Sequence, residues 1–236
     1  MSIWTRIGDF VSQVSTGAFS SVIEAVRTVF EGDPETRRRV AFSIAMIALS
    51  AKMAKADGVV TPDEVKAFQE IFEVPAADSA HVARLYNLAK SDVAGYELYA
   101  ERLARLCGSG KPNCAMLEDI LDGLFHIAKA DGVVHERELY FLQRVAAIFG
   151  FDEVHFNRIA ARHALTAGDD PYMVLGLRPD APFEEVRRRY RELVKDNHPD
   201  RLIARGVPEE FHAIANERLA AINAAYRAIG AEAKAL

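Results

Sequence analysis

The chain has 236 residues, and half of them are hydrophobic, so it can bury one large core or two modest ones. Its formal net charge of −5 argues against general nucleic-acid binding, and its two cysteines are too few for a disulfide framework. No secretory signal with a cleavage site is found at the start of the chain.

The first 32 residues predict an amphipathic segment with two apolar stripes at helical spacing. Charged residues divide this segment, so it lacks the roughly 20 apolar residues that a transmembrane helix needs. We predict that residues 1–32 pack on the domain that follows, with contact to a membrane surface as the alternative. The stripes are Ile3, Ile7, Phe10 and Val14, and then Phe19, Val22, Val26 and Val29.

An internal repeat lies within residues 33–166. The heptapeptide from Ala54 to Val60 recurs identically from Ala128 to Val134. Each copy lies between two segments with apolar residues at helical spacing, which predicts duplicated helix–loop–helix units. Two further helical stretches between the copies complete a predicted all-α bundle of roughly seven helices. The flanking apolar positions are Phe42, Ala45, Met46, Leu49 and Met53, then Val65, Phe68, Ile71 and Phe72, and in the second copy Leu117, Leu121, Leu124, Ile127, Leu139, Leu142, Val145 and Ile148.

Two amphipathic segments, residues 182–197 and 208–229, are joined by a short loop that begins with His198-Pro199-Asp200. Pro199 fixes its own φ and disfavours a helical conformation at His198, so the first helix should end just before the tripeptide. The two segments can pack as an antiparallel hairpin with the tripeptide at its tip. Their apolar stripes are Phe183, Val186, Tyr190, Leu193 and Val194, and then Phe211, Ile214, Ala215, Arg218 or Leu219, Ile222, Tyr226 and Ile229.

This hairpin resembles the J domain of the DnaJ co-chaperone family. A D-x-Y-x-x-L-G pattern begins at Asp170, as in the short opening helix of a J domain, and Asn223 and Tyr226 match the end of its last helix. The resemblance implies a protein that binds a DnaK-type (heat-shock-seventy) chaperone, stimulates ATP hydrolysis by that chaperone, and does no chemistry itself. The implied activating loop is His198, Pro199 and Asp200, and the implied docking face is Arg187, Arg188, Arg191 and Lys195.

The repeated Lys-Ala-Asp-Gly loops resemble the TerB-like domain, which is named for tellurite-resistance proteins. A TerB-like domain followed by a C-terminal J domain resembles the DjlA subfamily of bacterial DnaJ-like proteins. We therefore call residues 33–166 the TerB-like domain and residues 169–236 the J-like domain. DjlA proteins typically carry an N-terminal transmembrane anchor, which residues 1–32 do not predict. A cytoplasmic location is our prediction, with peripheral contact at the inner membrane face as the alternative.

Acidic residues in the repeated loops raise the question of a metal site. Each loop matches the second half of a calcium-binding EF-hand loop, but Lys55 and Lys129 occupy earlier ligand positions and would repel the ion. The structural interpretation is a glycine turn with the acidic residue capping the next helix. The rival is one metal site shared between both loops, formed by Asp57, Glu64, Asp131 and Glu138.

We predict a co-chaperone that is not an enzyme and needs no cofactor. In this interpretation the TerB-like domain recruits the DnaK-type chaperone to a client or adaptor that the sequence does not identify. Nucleic acid is not an expected partner, and the sequence does not predict an oligomeric state. Two other hypotheses remain: a binding scaffold with a degenerate J domain, and a metal- or ion-stress-sensing module that uses the repeated Asp-Gly loops.

Overall fold

The computed structural model describes residue 7 and residues 34–57, 77–91, 95–106, 115–163, 170–204, 207 and 212–235. These residues contain ten helices with defined bounds and no strand, which confirms the predicted all-α class. The helices are α1 (Pro34–Asp57), α2 (Ser79–Ser91), α3 (Tyr96–Leu106), α4 (Ala115–Ala128), α5 (Glu136–Ile148), α6 (Glu153–His163), α7 (Pro171–Leu175), α8 (Phe183–Asp196), α9 (Pro199–Ala204) and α10 (His212–Ala235).

Helix α1 forms the centre of the TerB-like domain and contacts α2, α3, α4 and α5. Residues 40–54 are all buried, as expected for a helix that is surrounded by others rather than lying on the surface. The predicted apolar positions of α1 and α4 are part of one core. The helix predicted to follow the first heptapeptide, with its apolar residues from Val65 to Phe72, lies outside the described residues.

The J-like domain is built from α7, α8 and α10, which pack on one another around a second core. Helix α7 begins where the Asp170 side chain accepts a hydrogen bond from the Tyr172 amide at 2.9 Å, with Pro171 in the first turn. It ends at Gly176, whose φ of 70° is a left-handed conformation that glycine adopts without strain. The second core consists of Val174, Leu175, Val186, Leu193, Ala221, Ile222, Ala225 and Ile229.

The tripeptide differs from the predicted loop. Helix α8 ends at Asp196, close to the predicted position, but Pro199 already begins the short helix α9. Proline suits the first position of a helix because its missing N–H would have no partner there. The carbonyl of His198 accepts hydrogen bonds from the amides of Arg201 and Leu202 at 2.9 and 3.3 Å. Thus His198 is the only residue of the tripeptide outside a helix, and Asn197 and His198 together separate α8 from α9. Helix α10 also continues to Ala235, beyond the predicted end at residue 229.

The core of the TerB-like domain contains residues from the J-like domain. Leu202 of α9, Val207, and Ile214 and Ala215 of α10 are buried in the same cluster as α1 and α4. Gly123 of α4 permits this approach, since a Cβ atom there would lie 2.9 Å from Cδ1 of Ile214. The two domains therefore pack directly on each other.

One residue of the N-terminal segment is described. Ile7 is helical, fully buried, and belongs to the core of the TerB-like domain. The other residues of both predicted stripes lie outside the described part of the chain. Within the described parts of the chain, no helix combines the length and the apolar character needed to cross a membrane.

Candidate functional site

The tripeptide lies at the tip of the J-like domain and faces solvent. The side chains of His198 and Asp200 are 57% and 85% exposed. Nδ1 of His198 accepts a hydrogen bond from the Asp200 amide at 3.3 Å, and Oδ2 of Asp200 lies 3.5 Å from the same nitrogen. Both side chains are therefore largely open to contact with another molecule.

The predicted docking residues form an exposed basic face on α8, defined as Arg187, Arg188, Arg191 and Lys195. Arg187 and Arg188 lie 3.5 and 3.6 Å from Glu184 and Glu185, one turn earlier. Such exposed pairs contribute little and exchange readily for other partners. Within the described residues, no carboxylate lies within ion-pair distance of Arg191 or Lys195, so these two cations at the C-terminal end of the face are available to another molecule.

Contacts between the opposite side of α8 and α10 fix the orientation of the basic face. Val186 and Leu193 are buried against α10, and the Tyr190 hydroxyl donates to Oδ1 of Asn223 at 2.9 Å. The rings of Tyr190 and Tyr226 stack with centroids 4.1 Å apart. Asn223 and Tyr226 thus hold α8 against α10.

A buried ionic cluster joins the two domains, and the sequence analysis did not predict it. Arg218 of α10 is only 2% exposed, and its Nη1 donates to Oδ1 of Asp119 at 2.7 Å. Its Nη2 pairs with Oδ2 of Asp122. Nη1 also donates to Oδ1 of Asn197 at 2.8 Å, directly before the tripeptide. The only signal in the sequence was that Arg218 falls within an apolar stripe.

Helix α6 supplies further members of this cluster. Arg162 donates to Glu118 at 2.6 Å and to Asp122 at 3.0 Å. The ring nitrogen Nε2 of His163 lies 2.7 Å from Asp122, and that of His155 lies 3.2 Å from Glu118. We call the set the interface cluster; its members are Glu118, Asp119, Asp122, His155, Arg162, His163, Asn197 and Arg218.

Electrostatics explain how the interface cluster stays charged while buried. Burial alone would raise the pKa of Asp122, but Arg218, Arg162 and His163 together hold that pKa well below its ordinary range. Burial would lower the pKa of Arg218, but Asp122 and Asp119 raise it above the usual value. Each charge therefore depends on partners from another helix, and removing one partner would leave its neighbours buried without compensation.

A second contact between the domains involves Glu217 of α10. Its Oε2 atom lies 2.7 Å from Nδ1 of His126 and 2.9 Å from Nζ of Lys129, both on the α4 side. Burial acts to raise the pKa of Glu217, but His126 and Lys129 outweigh it and lower the pKa to about 2. Two neighbouring residues of α10 thus bind the same edge of the TerB-like domain.

The repeated loop is described only in its second copy, where it forms a structural turn. Gly132 has a φ of 96°, and Oδ1 of Asp131 accepts from the Val133 amide at 3.1 Å. Glu138 is buried and accepts from the His135 amide at 2.9 Å, which caps α5. Among the described residues, no group of three or more His, Cys, Asp or Glu side chains could hold a metal ion. Glu64 and the side chain of Asp57 are not described, so the shared metal site stays a prediction.

Comparison with known proteins gives the family. The family model for tellurite resistance protein TerB matches residues 43–161, and the DnaJ domain model matches residues 170–235. The Co-chaperone protein DjlA of Photobacterium profundum is 30% identical over 83% of this chain and 79% of its own length.

Proteins of the same name from Legionella pneumophila and Coxiella burnetii are 26% and 29% identical, over 80% and 75% of this chain and 76% and 72% of their own. No solved structure was found to match. A TerB domain ahead of a DnaJ domain, together with a relative 30% identical over most of both chains, shows that the chain belongs to the DjlA family of co-chaperone proteins.

Proposed function

We propose that this chain binds a DnaK-type chaperone through the tripeptide and the basic face of α8, and that binding stimulates ATP hydrolysis by the chaperone. The observation that carries the proposal is the arrangement of one surface. The exposed side chains of His198 and Asp200 directly follow the helix that carries Arg191 and Lys195, which are exposed and have no carboxylate partner within the described residues.

The chemistry of this surface suits an acidic partner with an arginine at its centre. The basic face attracts negative charge and speeds the encounter, because opposite potentials steer two proteins together. The Asp200 carboxylate is 85% exposed and can accept a bidentate pair from an arginine of the partner. Contact through the basic face should therefore set affinity, and contact through the tripeptide should set the response of the chaperone.

The TerB-like domain acts in this proposal as the recruiting or regulatory part. It packs on the side of the J-like domain that carries Arg218 and Leu202, and so leaves the tripeptide and the basic face open. A client or adaptor bound elsewhere on the TerB-like domain would be carried to the chaperone without competing for its docking surface. The identity of this client or adaptor is not part of the proposal.

The test is ATP hydrolysis by the DnaK-type chaperone of the same organism, with the full chain added as wild type or as His198→Gln. We expect wild type to stimulate hydrolysis and His198→Gln to give the unstimulated rate. His81→Gln is the matched control, since His81 is also exposed but lies on α2, and it should stimulate like wild type. Full stimulation by folded His198→Gln would contradict the proposed role of the tripeptide.

The docking face can be tested by the concentration dependence of the same assay. We expect Arg191→Ala and Lys195→Ala each to raise the half-saturating concentration roughly two- to fivefold, because an exposed ion pair contributes up to about 1 kcal/mol. Arg227→Ala is the control, since Arg227 is exposed on α10 outside the basic face. An equal effect of all three variants would show that overall charge, rather than this face, governs binding.

A further inference from the structure

We infer that the TerB-like domain positions the activating tripeptide through a buried chain of hydrogen bonds that runs from Asp119 through Arg218 to Asn197; the inference rests on the proposed function. Asp119, Arg218 and Asn197 are positioning residues in this proposal, because they act on the chaperone only through the placement of His198 and Asp200. The TerB-like domain would thus set the efficiency of the J-like domain as well as recruit it.

The first step of this series of hydrogen bonds is the buried contact between Asp119 and Arg218. Asp119 is 1% exposed and Arg218 is 2% exposed, with 2.7 Å between Oδ1 and Nη1. Separating them would weaken the compensation of two buried charges, which is strongly unfavourable. Asp122 holds the other terminal nitrogen of Arg218. The guanidinium plane is therefore held at two points by α4 of the TerB-like domain.

The second step is a hydrogen bond within the J-like domain, from Arg218 to Asn197. The same nitrogen that binds Asp119 also donates to Oδ1 of Asn197 at 2.8 Å. Because one nitrogen serves both acceptors, a shift of Asp119 changes the geometry at Asn197 as well. Asn197 is 7% exposed, so solvent cannot readily replace this bond.

The third step connects Asn197 with the tripeptide. Its side-chain nitrogen donates to the Leu193 carbonyl at 2.8 Å, which satisfies one of the last carbonyls of α8. Asn197 leaves the helix with φ −104° and ψ 15°, and His198 is the next residue. A different rotamer or backbone angle at Asn197 would turn His198 away from the basic face.

The other end of the tripeptide is held by the same domain through an independent contact. The His198 carbonyl binds the amide of Leu202, whose side chain is 1% exposed within the core of the TerB-like domain. The exposed turn is thus fixed on both sides by residues that the TerB-like domain immobilises. Such support is what a surface turn needs to present two polar groups in one geometry.

The experiment compares saturation curves of chaperone ATP hydrolysis for full-length variants. Asp119→Ala removes the first acceptor, and Glu118→Ala is the matched control, since Glu118 is in the same helix and cluster but binds Arg162 and His155. We expect Asp119→Ala to lower the plateau of stimulation roughly two- to tenfold, the size expected for one hydrogen bond. Glu118→Ala should keep the plateau. Asp119→Asn should restore most of it, because the amide oxygen still accepts from Arg218.

Partial unfolding would give a different result from lost positioning. A smaller folded fraction shifts the half-saturating concentration and leaves the plateau unchanged, whereas a misplaced tripeptide lowers the plateau. Asn197→Ala covers the case in which Asp119→Ala does not fold, since it removes the last step and leaves the Arg218–Asp119 pair in place. It should lower the plateau in the same range. A wild-type plateau in Asn197→Ala, or equal plateaus in Asp119→Ala and Glu118→Ala, would overturn the inference.

A second measurement does not depend on the chaperone. The NMR resonances of the His198 imidazole can be assigned by their absence in His198→Gln. We expect them to move in Asp119→Ala and Asn197→Ala and to stay in place in Glu118→Ala. Unchanged His198 resonances in Asp119→Ala and Asn197→Ala would disprove the positioning, whether or not the protein stimulates a chaperone. Failure of wild type to stimulate the chaperone would by itself refute only the proposed function.

Discussion

The tripeptide and the interface cluster use similar side chains in opposite surroundings. His198 and Asp200 are 57% and 85% exposed, and their own contacts are 3.3 and 3.5 Å long. In the interface cluster, Asp119 and Arg218 are 1% and 2% exposed and are 2.7 Å apart. The comparison shows that the function of a polar group here follows its accessibility, since the buried groups hold the domains together and the exposed ones remain free to bind a partner.

The substitution with the largest expected effect on stability is Arg218→Leu. We expect it to lower the free energy of unfolding by about 3–5 kcal/mol, because Asp119 and Asp122 would remain buried after losing the Arg218 cation. Urea denaturation followed by circular dichroism measures the change. Arg227→Leu, on the exposed side of the same helix, should stay within about 0.5 kcal/mol. Equal effects of the two substitutions would mean that the cluster does not join the domains.

A slightly smaller effect is expected for Leu202→Ala in α9. The side chain is 1% exposed in the core of the TerB-like domain, so truncation should cost about 2–4 kcal/mol through lost burial and the cavity that remains. Leu88→Ala is the control, since Leu88 is 38% exposed, and it should cost less than about 1 kcal/mol. Urea denaturation measures the loss of stability in both variants. A smaller loss for Leu202→Ala than for Leu88→Ala would contradict the placement of α9 in the core.

The buried histidine of the cluster makes stability depend on pH. Burial lowers the pKa of His163 below its ordinary value of 6.5, although Asp122 opposes the shift and Lys129 and Arg162 add to it. The unfolded chain therefore binds more protons below pH 6.5, and stability falls as the pH decreases through that value.

We expect His163 to account for a loss of about 1 kcal/mol between pH 7 and pH 5. The pKa of Glu118 is lowered well below 4.5 and that of Glu217 to about 2, so the stability they contribute is lost only below about pH 4.5. Thermal unfolding of wild type and His163→Gln across this range is the measurement. Identical pH profiles would show that His163 does not titrate on unfolding.

The smallest expected effect is that of His198→Gln on stability. An exposed side chain with one hydrogen bond of 3.3 Å contributes little to folding, so the free energy of unfolding should change by less than about 0.5 kcal/mol. This value also serves the ATP hydrolysis assay, because lost stimulation then has a cause other than unfolding. A loss of 2 kcal/mol or more, on the scale of a buried contact, would remove the contrast between the two regions.

Local patterns in the sequence were enough to predict most of the described helices and to recognise the tripeptide. Three consecutive residues after a basic helix can be recognised without knowing what lies opposite them. The spacing of Phe42, Met46 and Leu49 correctly placed these residues in the core, although α1 is buried on every side from residue 40 to residue 54. The short helix α9 was missed because the same proline that ends one helix can begin another. The predicted domain boundaries and the roles of the tripeptide and the basic face remain predictions.

The interface cluster could not be predicted, because its partners are far apart in the chain. Arg218 and Asp119 are separated by 99 residues, and no periodicity links one to the other. The apolar stripe of α10 left Arg218 and Leu219 as alternatives at one position, so the sequence predicted neither a buried cation nor the carboxylate that binds it. The same holds for Arg162 and Glu118, which are 44 residues apart.

The shared core has a consequence for synthesis of the protein on the ribosome. The N-terminal domain of a growing chain often folds before the rest has emerged. Here the apolar cluster around α1 and α4 includes Leu202, Val207, Ile214 and Ala215. Until those residues leave the exit tunnel, the nascent TerB-like domain must expose the apolar surface that they cover, together with the carboxylates of Asp119 and Asp122. The interior of the TerB-like domain therefore cannot be completed before residues 202–215 have emerged from the ribosome.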